Sequence, residues 1–226
     1  MNRKKIIVFA PHPDDETVGC GGAIAKRISQ GYDVLIVVMT DGRHAFSHSL
    51  GIHSDPSPEE VKMKRREEIK GVMKIYGLPE ENLILLDFED RKLQENAEEA
   101  EEIVAQILEK NRPEEIYFPA KQDYHKDHKA TNRIVKNSIR KLGLPTTKYQ
   151  YIVSHRFSRI GPIYNDLLEP FKHTIFMDIS EFLRLKEQAL RAYMSEISII
   201  SKTQKRPIVE DHEQYLRPYE EFYFEK

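Results

Sequence analysis

Six residues near the start of the chain, Pro11-His12-Pro13-Asp14-Asp15-Glu16, bring an imidazole and three carboxylates together. A histidine and an aspartate three positions apart, His12 and Asp15, can reach one borderline metal ion such as zinc. Asp14, between them, is then free to handle a proton. The two prolines restrict φ on either side of His12. A second cluster, Asp123-Tyr124-His125-Lys126-Asp127-His128, lies in mid-chain. Each cluster has an ordinary alternative. Asp14 or Asp15 can cap a helix, with Glu16 complementing the dipole of its first turn, and a lone histidine is more often a solvated surface residue. Two clusters that each follow a strand-like run and open a helix are hard to explain by capping.

The elements that must position these residues are legible. Ile6–Phe9, Val34–Met39, Leu83–Leu86 and Ile116–Phe118 are short, apolar and mostly unalternating, as buried parallel strands read. Helical patterns lie between them. Ser57-Pro58-Glu59-Glu60 reads as a capping box with proline at the first helical position, and Gly77 suits that helix's end. Asn96 with Glu99 opens the next helix, whose stripe is Ala100, Ile103, Val104, Ile107 and Leu108. Another runs from near Asp127 to Leu142, with Gly143 as its stop. This alternation predicts an α/β, Rossmann-like fold: one domain over 1–226 with a mostly parallel, doubly wound sheet. Sites in such sheets form beyond the carboxyl ends of the strands, where both clusters fall. The C-terminal third is less regular, with a strand near Tyr149–Val153, a helix near Glu181–Ser195 and a closing segment Tyr219–Phe224.

On the helix 59–76, Val61, Ile69, Val72 and Tyr76 form the apolar stripe, and Arg65 and Glu68 fall on that same stripe. Inward charges are costly unless paired or facing a polar site. Two readings stay open here: a structural Arg65–Glu68 pair, or a helix facing the site with Arg65 as substrate anchor. The stretch 43–58 reads as a long loop. Its Arg43, His44, His48 and His53 can reach a substrate, although such a loop is more often a solvated lid.

Composition excludes several classes. A net charge of −2 over 226 residues gives no sequence-wide basic field, which argues against nucleic acid or an anionic membrane as main partner. A single cysteine rules out an intrachain disulfide framework and suits a reducing compartment. No apolar run approaches the roughly 20 residues needed to span a bilayer. The basic start, Met1 to Lys5, leads into no signal-like apolar region. The expectation is a cytoplasmic protein without stable membrane insertion. A nucleotide-binding Rossmann module fits poorly. From Gly19 the pattern places Ile24 where glycine or alanine belongs, and the carboxylates at the turn would repel a pyrophosphate.

Taken together, Pro-His-Pro-Asp-Asp-Glu and His-x-Asp-His resemble the LmbE-like (PIG-L) superfamily of zinc-dependent N-deacetylases. Thr40-x-Gly42, Arg65-x-x-Glu68 and Asp90 match as well, and the resemblance spans roughly residues 5–200. It implies His12, Asp15 and His128 as ligands of one Zn2+ per chain, a set that another divalent transition metal would also fit. It implies Asp14 as general base. It implies that His125, oriented by Asp127, is protonated and stabilises the oxyanion or protonates the leaving amine; which of Asp14 and His125 delivers that proton stays open. It favours Arg65 as substrate anchor. The implied reaction removes the N-acetyl group of an N-acetylglucosamine-type sugar or glycoconjugate, a small-molecule partner, and is compatible with a homo-oligomer. The spacing itself licenses only metal-assisted hydrolysis, so another amide or ester metabolite is the alternative. One departure stands out. The family's C-terminal helix often carries Ser-Gln, and here Ser195 is followed by Glu196.

Overall fold

The computed structural model describes residues 4–153 and 174–224. Its strands are β1 (Lys5–Ala10), β2 (Asp33–Thr40), β3 (Leu83–Phe88), β4 (Glu115–Pro119), β5 (Thr147–Tyr151), β6 (Thr174–Asp178) and β7 (Tyr219–Tyr223). They form one seven-stranded sheet in the order β3-β2-β1-β4-β5-β7-β6. The first five are parallel, and β7 runs antiparallel to both β5 and β6. This is the α/β, mostly parallel doubly wound architecture that the sequence implies. The helices are α1 (Asp15–Ser29), α2 (Ala45–Leu50), α3 (Pro58–Ile75), α4 (Ala97–Asn111), α5 (Lys126–Leu142), α6 (Leu183–Ala192) and α7 (Met194–Ile197).

The sheet is buried on both faces, which is why its central strands read as unbroken apolar runs. Ile6 and Val8 of β1, with Ile36 and Val38 of β2, pack against Ile24 of α1 and Ile69 and Val72 of α3. The alternate residues Ile7, Phe9, Val37 and Met39 pack against Val104 and Leu108 of α4 and Ile134 and Val135 of α5. Successive strand side chains point to opposite faces, so each strand feeds two cores.

The caps follow the local chemistry in most places. Ser57 and Glu60 form the reciprocal capping box of α3, and α5 ends at Gly143 in the left-handed region. Asn96 precedes α4 but makes no side-chain cap; its amide donates to the Lys92 carbonyl. The stretch 43–58 is not all loop, since α2 lies within it and buries Phe46. Strand β6 had no sequence signal because it is an edge strand with Ile175 and Phe176 exposed, so its burial does not alternate.

The glycine-rich stretch does not form a phosphate-binding turn. It lies inside α1, which breaks at Cys20. The Glu220 carboxylate of β7 accepts from the freed N–H groups of Gly22 and Ala23, at 2.8 Å each. A side chain at Gly19 would collide with the Tyr151 ring, its Cβ only 2.3 Å from the ring carbon Cδ2.

Chain order reverses beside β1, whose neighbours are β2 and β4. Clefts at such switch points are where open α/β sheets bind ligands. The first motif leaves the end of β1 and the second leaves the end of β4, so the topology brings them face to face.

Candidate active site

Asp14 sits at φ 124°, ψ −30°, a conformation that side-chain-bearing residues rarely adopt. Its carbonyl accepts from Thr17 and Val18 at 2.9 Å and starts α1. Its side chain makes no cap; it pairs instead with Arg65 Nη2 at 3.0 Å. Asp15 does not cap either. Its Oδ2 accepts from the His12 N–H at 2.9 Å and lies 3.0 Å from His12 Nδ1 and 3.1 Å from His128 Nε2. Glu16 is fully buried rather than facing solvent at a helix end. It accepts from Asp14 N–H at 3.0 Å, and from the Thr17 and Tyr193 hydroxyls at 2.6 Å each. The capping alternative therefore fails for Asp14 and Asp15, while Glu16 does lie in the first turn of α1.

The second cluster reaches the same point from β4. His128 Nε2 lies 3.3 Å from His12 Nδ1, and its Nδ1 lies 2.9 Å from Asp123 Oδ2. His12 is held on its other side as well, with Nε2 at 3.2 Å from Asp90 Oδ1 and 3.4 Å from Asp127 Oδ2. One carboxylate oxygen and two ring nitrogens thus converge at mutual distances of 3.0–3.3 Å. Zinc with bonds of about 2.0–2.1 Å in tetrahedral geometry separates its ligands by about 3.3 Å, so the donor set His12, Asp15 and His128 fits that ion. His12 also belongs to two looser groups, one with His125 and His128 and one with Asp90, His125 and Asp127. The shorter distances favour the set with Asp15 as the ligands. Asp90 and Asp127 behind His12, and Asp123 behind His128, stand within ion-pair distance of the rings, where outer partners of ligand histidines would stand.

The electrostatics match this role. Burial opposes charge on His12, but Asp90, Asp127 and Asp15 outweigh it and raise its pKa well above the usual range. His128 is likewise opposed by burial and lifted by Asp15 and Asp123, to about 9. Burial alone would raise Asp15; the two imidazoles lower it well below the usual range. A divalent ion at these donors takes the place of the imidazole protons. Asp14 behaves in the opposite way. Burial, then Glu196, Asp15 and Glu16, raise its pKa well above the usual range against the pull of Arg65.

His125 opens α5, and its Nδ1 accepts from the Asp127 N–H at 3.2 Å. Asp127 therefore orients it through the backbone. The Asp127 carboxylate turns elsewhere, accepting from the Arg91 N–H at 2.5 Å. Burial and the charges of His12 and His128 lower His125 to about 3. Both facts run against a protonated His125 braced by a carboxylate. Burial and the two neighbouring imidazoles thus disfavour the charged ring, and Nδ1 is the acceptor of its helix-opening hydrogen bond.

Arg65 and Glu68 do face inward on α3, but not as a pair. Arg65 is 4% exposed. Its guanidinium donates to the carbonyls of Pro13 and Gly42 and pairs with Asp14 and Glu196. Gly42, at φ 63°, has no side chain because a Cβ would stand 3.0 Å from Arg65 Nη1. Glu68 accepts from Ser195 N–H at 2.8 Å and from its hydroxyl at 2.5 Å. So enclosed, Arg65 braces Asp14. Glu196, the departure from the family pattern, is its second carboxylate.

The profile of the PIG-L family, described as GlcNAc-PI de-N-acetylase, matches residues 7–139. The chain belongs to the PIG-L family. Diacetylchitobiose deacetylase of Thermococcus kodakarensis is 29% identical over 201 residues, covering 85% of this chain and 70% of that protein. A probable N-acetyl-alpha-D-glucosaminyl L-malate deacetylase of Bacillus cereus is 28% identical, covering 77% and 80%. The 4-carboxy-2-hydroxymuconate hydratase of Pseudomonas putida superposes with a TM-score of 0.66 at 21% identity, over 84% and 78% of the two chains. That likeness concerns the fold alone, and shows that this fold also carries other chemistry. The PIG-L match ends before Tyr193, which joins α6 to α7, and before Glu196 of α7 and Glu220 of β7.

Sequence reasoning left Asp90, Asp123, Glu16 and Glu196 outside the site. Asp123 opens the second motif and Glu16 closes the first, so both stood in plain view. Their burial and their partners were not legible without the fold.

Proposed function

We propose that the protein is a zinc-dependent N-deacetylase, hydrolysing the acetamide of an N-acetylglucosamine-type sugar or its glycoconjugate. The observation that carries this reading is the division of labour between adjacent carboxylates. Asp15 points at two imidazoles, while Asp14 turns away to Arg65. His12, Asp15 and His128 would hold the ion, which supplies a water of pKa near about 7 and polarises the acetamide carbonyl.

The chain's own groups do the rest. Asp14, its basicity raised by burial, takes the proton from the attacking water. Arg65 keeps its carboxylate in place. The neutral His125 donates its Nε2–H to the developing oxyanion. With the charged form of His125 disfavoured by burial and its imidazole neighbours, Asp14 returns the proton to the departing amine. Acetate and a free amino sugar result. Asp90 and Asp127 fix His12, and Asp123 fixes His128.

No described helix is long and apolar enough to cross a membrane, and the lone Cys20 is buried and unpaired, which suits a cytoplasmic enzyme. The test is acetate release from N-acetylglucosamine and N,N'-diacetylchitobiose, before and after removal of metal with a chelator. Activity should vanish on chelation and return with one zinc per chain. Zinc-loaded protein that releases no acetate from any N-acetyl amino sugar, conjugates included, would turn the reading toward another hydrolytic or hydratase chemistry.

A further inference from the structure

A cavity of about 380 Å³ opens beside the ligand cluster, between α2, the end of β3 and the start of α5. His44, His48, Asp90, Arg91 and Lys126 are among its walls. It abuts the chemistry at two points. Asp90 Oδ1 is 3.2 Å from His12 Nε2, and Arg91 Nη1 is 3.5 Å from His125 Nε2. Whatever extends from an acetamide held at His12 and His125 has this cavity next to it.

The charges around it are unequally matched. Arg43, next to His44 in the chain, is paired with Asp41 at 2.6 Å. Of the acidic groups in the wall, Asp90 and Glu89 are engaged, and Glu95 makes no ion pair among the described residues. Asp90 serves His12 and the His44 N–H. Glu89 pairs with Lys92 at 2.9 Å, and Glu95 acts on that same lysine. Arg91 and Lys126, by contrast, have no carboxylate within ion-pair distance among the described residues. The Arg91 backbone is held at φ 71° with its N–H on Asp127, and its guanidinium reaches to 3.5 Å from His125 Nε2. Both cations act on His48 across the cavity and help burial disfavour its charged form.

We propose that this cavity receives the aglycone and that it selects an anionic group, a carboxylate or phosphate, through Arg91 and Lys126. The preferred substrate is then an N-acetylglucosamine conjugate with an acidic aglycone, rather than a neutral oligosaccharide. Arginine offers a planar fork for either oxyanion and lysine a point charge. The inference rests on the deacetylase reading for its sugar, but not for its anion.

The experiment compares kcat/KM for three substrates: methyl N-acetylglucosaminide, N-acetylglucosamine 1-phosphate and the N-acetylglucosaminide of a hydroxy acid. At least one anionic substrate should exceed the neutral one by about tenfold or more, and salt should shrink the advantage. Which one does so distinguishes phosphate from carboxylate. In the Arg91→Gln, Lys126→Gln double variant the anionic-to-neutral ratio should fall toward one. A wild-type ratio near one, or a ratio untouched in the variant, overturns the proposal while leaving deacetylation intact. Failure to turn over all three points at the deacetylase reading instead. The subsite is then read by calorimetry, as binding of glucosamine 1-phosphate and of the hydroxy-acid glucosaminide against glucosamine in wild type and variant. Equal affinities in the wild type overturn it there too.

Discussion

Replacing Tyr193 by phenylalanine should damage catalysis from a distance. The Tyr193 hydroxyl donates to Glu16 Oε1 at 2.6 Å, and both residues are buried. Glu16 in turn accepts from the Asp14 N–H at 3.0 Å. Asp14 holds φ 124°, a strained backbone that costs about 1–3 kcal/mol and persists only where its surroundings over-determine it. Phenylalanine keeps the ring and removes one hydrogen bond to a charged, buried carboxylate, worth about 1.5–3 kcal/mol. For a chain of 226 residues, each kcal/mol shifts Tm by about 2–4 °C, so Tm should fall by about 3–12 °C. Relaxation at Asp14 should also lower kcat by about ten- to a hundredfold, since small misplacements of a catalytic group are expensive. KM and zinc content should hardly move. The assay is calorimetry, metal analysis and acetate-release kinetics on one zinc-loaded preparation. A lower Tm with wild-type kcat would leave Glu16 a purely structural residue. No change in either would refute the reasoning about the strained turn.

Asp123→Asn should weaken zinc binding by about 10- to 100-fold, the usual cost of losing a ligand's outer partner; competition with a chelator measures it, and unchanged affinity would mean that Asp123 does not orient His128. In metal-free protein His128 titrates at about 9, against about 6.5 unfolded. Its folded pKa is raised, so its stabilisation is full below about pH 6.5 and is lost as pH rises through about 9, an effect of about 3 kcal/mol. The metal-free Tm should therefore decline over that window, and a flat profile would contradict the assignment. Zinc binding at pH 7 should release protons and weaken as pH falls, which calorimetry in buffers of different ionisation heat detects. Arg65→Ala leaves two buried carboxylates unpaired and should cost about 3–5 kcal/mol, with kcat falling more than KM rises. The opposite pattern, a raised KM on a stable fold, would mark Arg65 as substrate anchor instead.

Much of this was legible in the residues because the fold is locally consistent. Unbroken apolar runs mark strands buried on both faces, and Ser57 with Glu60 marks the start of α3 where the structure has it. The inward placement of Arg65 and Glu68 followed from helical periodicity alone. Their partners did not, because Asp14, Glu196 and Ser195 arrive from α1 and α7, remote in sequence. The strained turn at Asp14 was hidden for a similar reason: an aspartate before a helix reads as a cap, and only tertiary contacts override that preference. The role of Asp127 turned on one backbone N–H, which composition does not encode. Edge strand β6 and the short α2 carry too little periodicity to announce themselves.

In the proposed mechanism Asp15 binds the metal while its neighbour Asp14 moves the proton. Acetate release by zinc-loaded Asp14→Asn protein tests it most directly, because asparagine is nearly isosteric and cannot accept that proton. The expected result is one zinc per chain with kcat lowered by about 10²–10⁴-fold, the range for proton-transfer catalysis. Near-wild-type turnover at full zinc occupancy, or loss of the zinc itself, would contradict it.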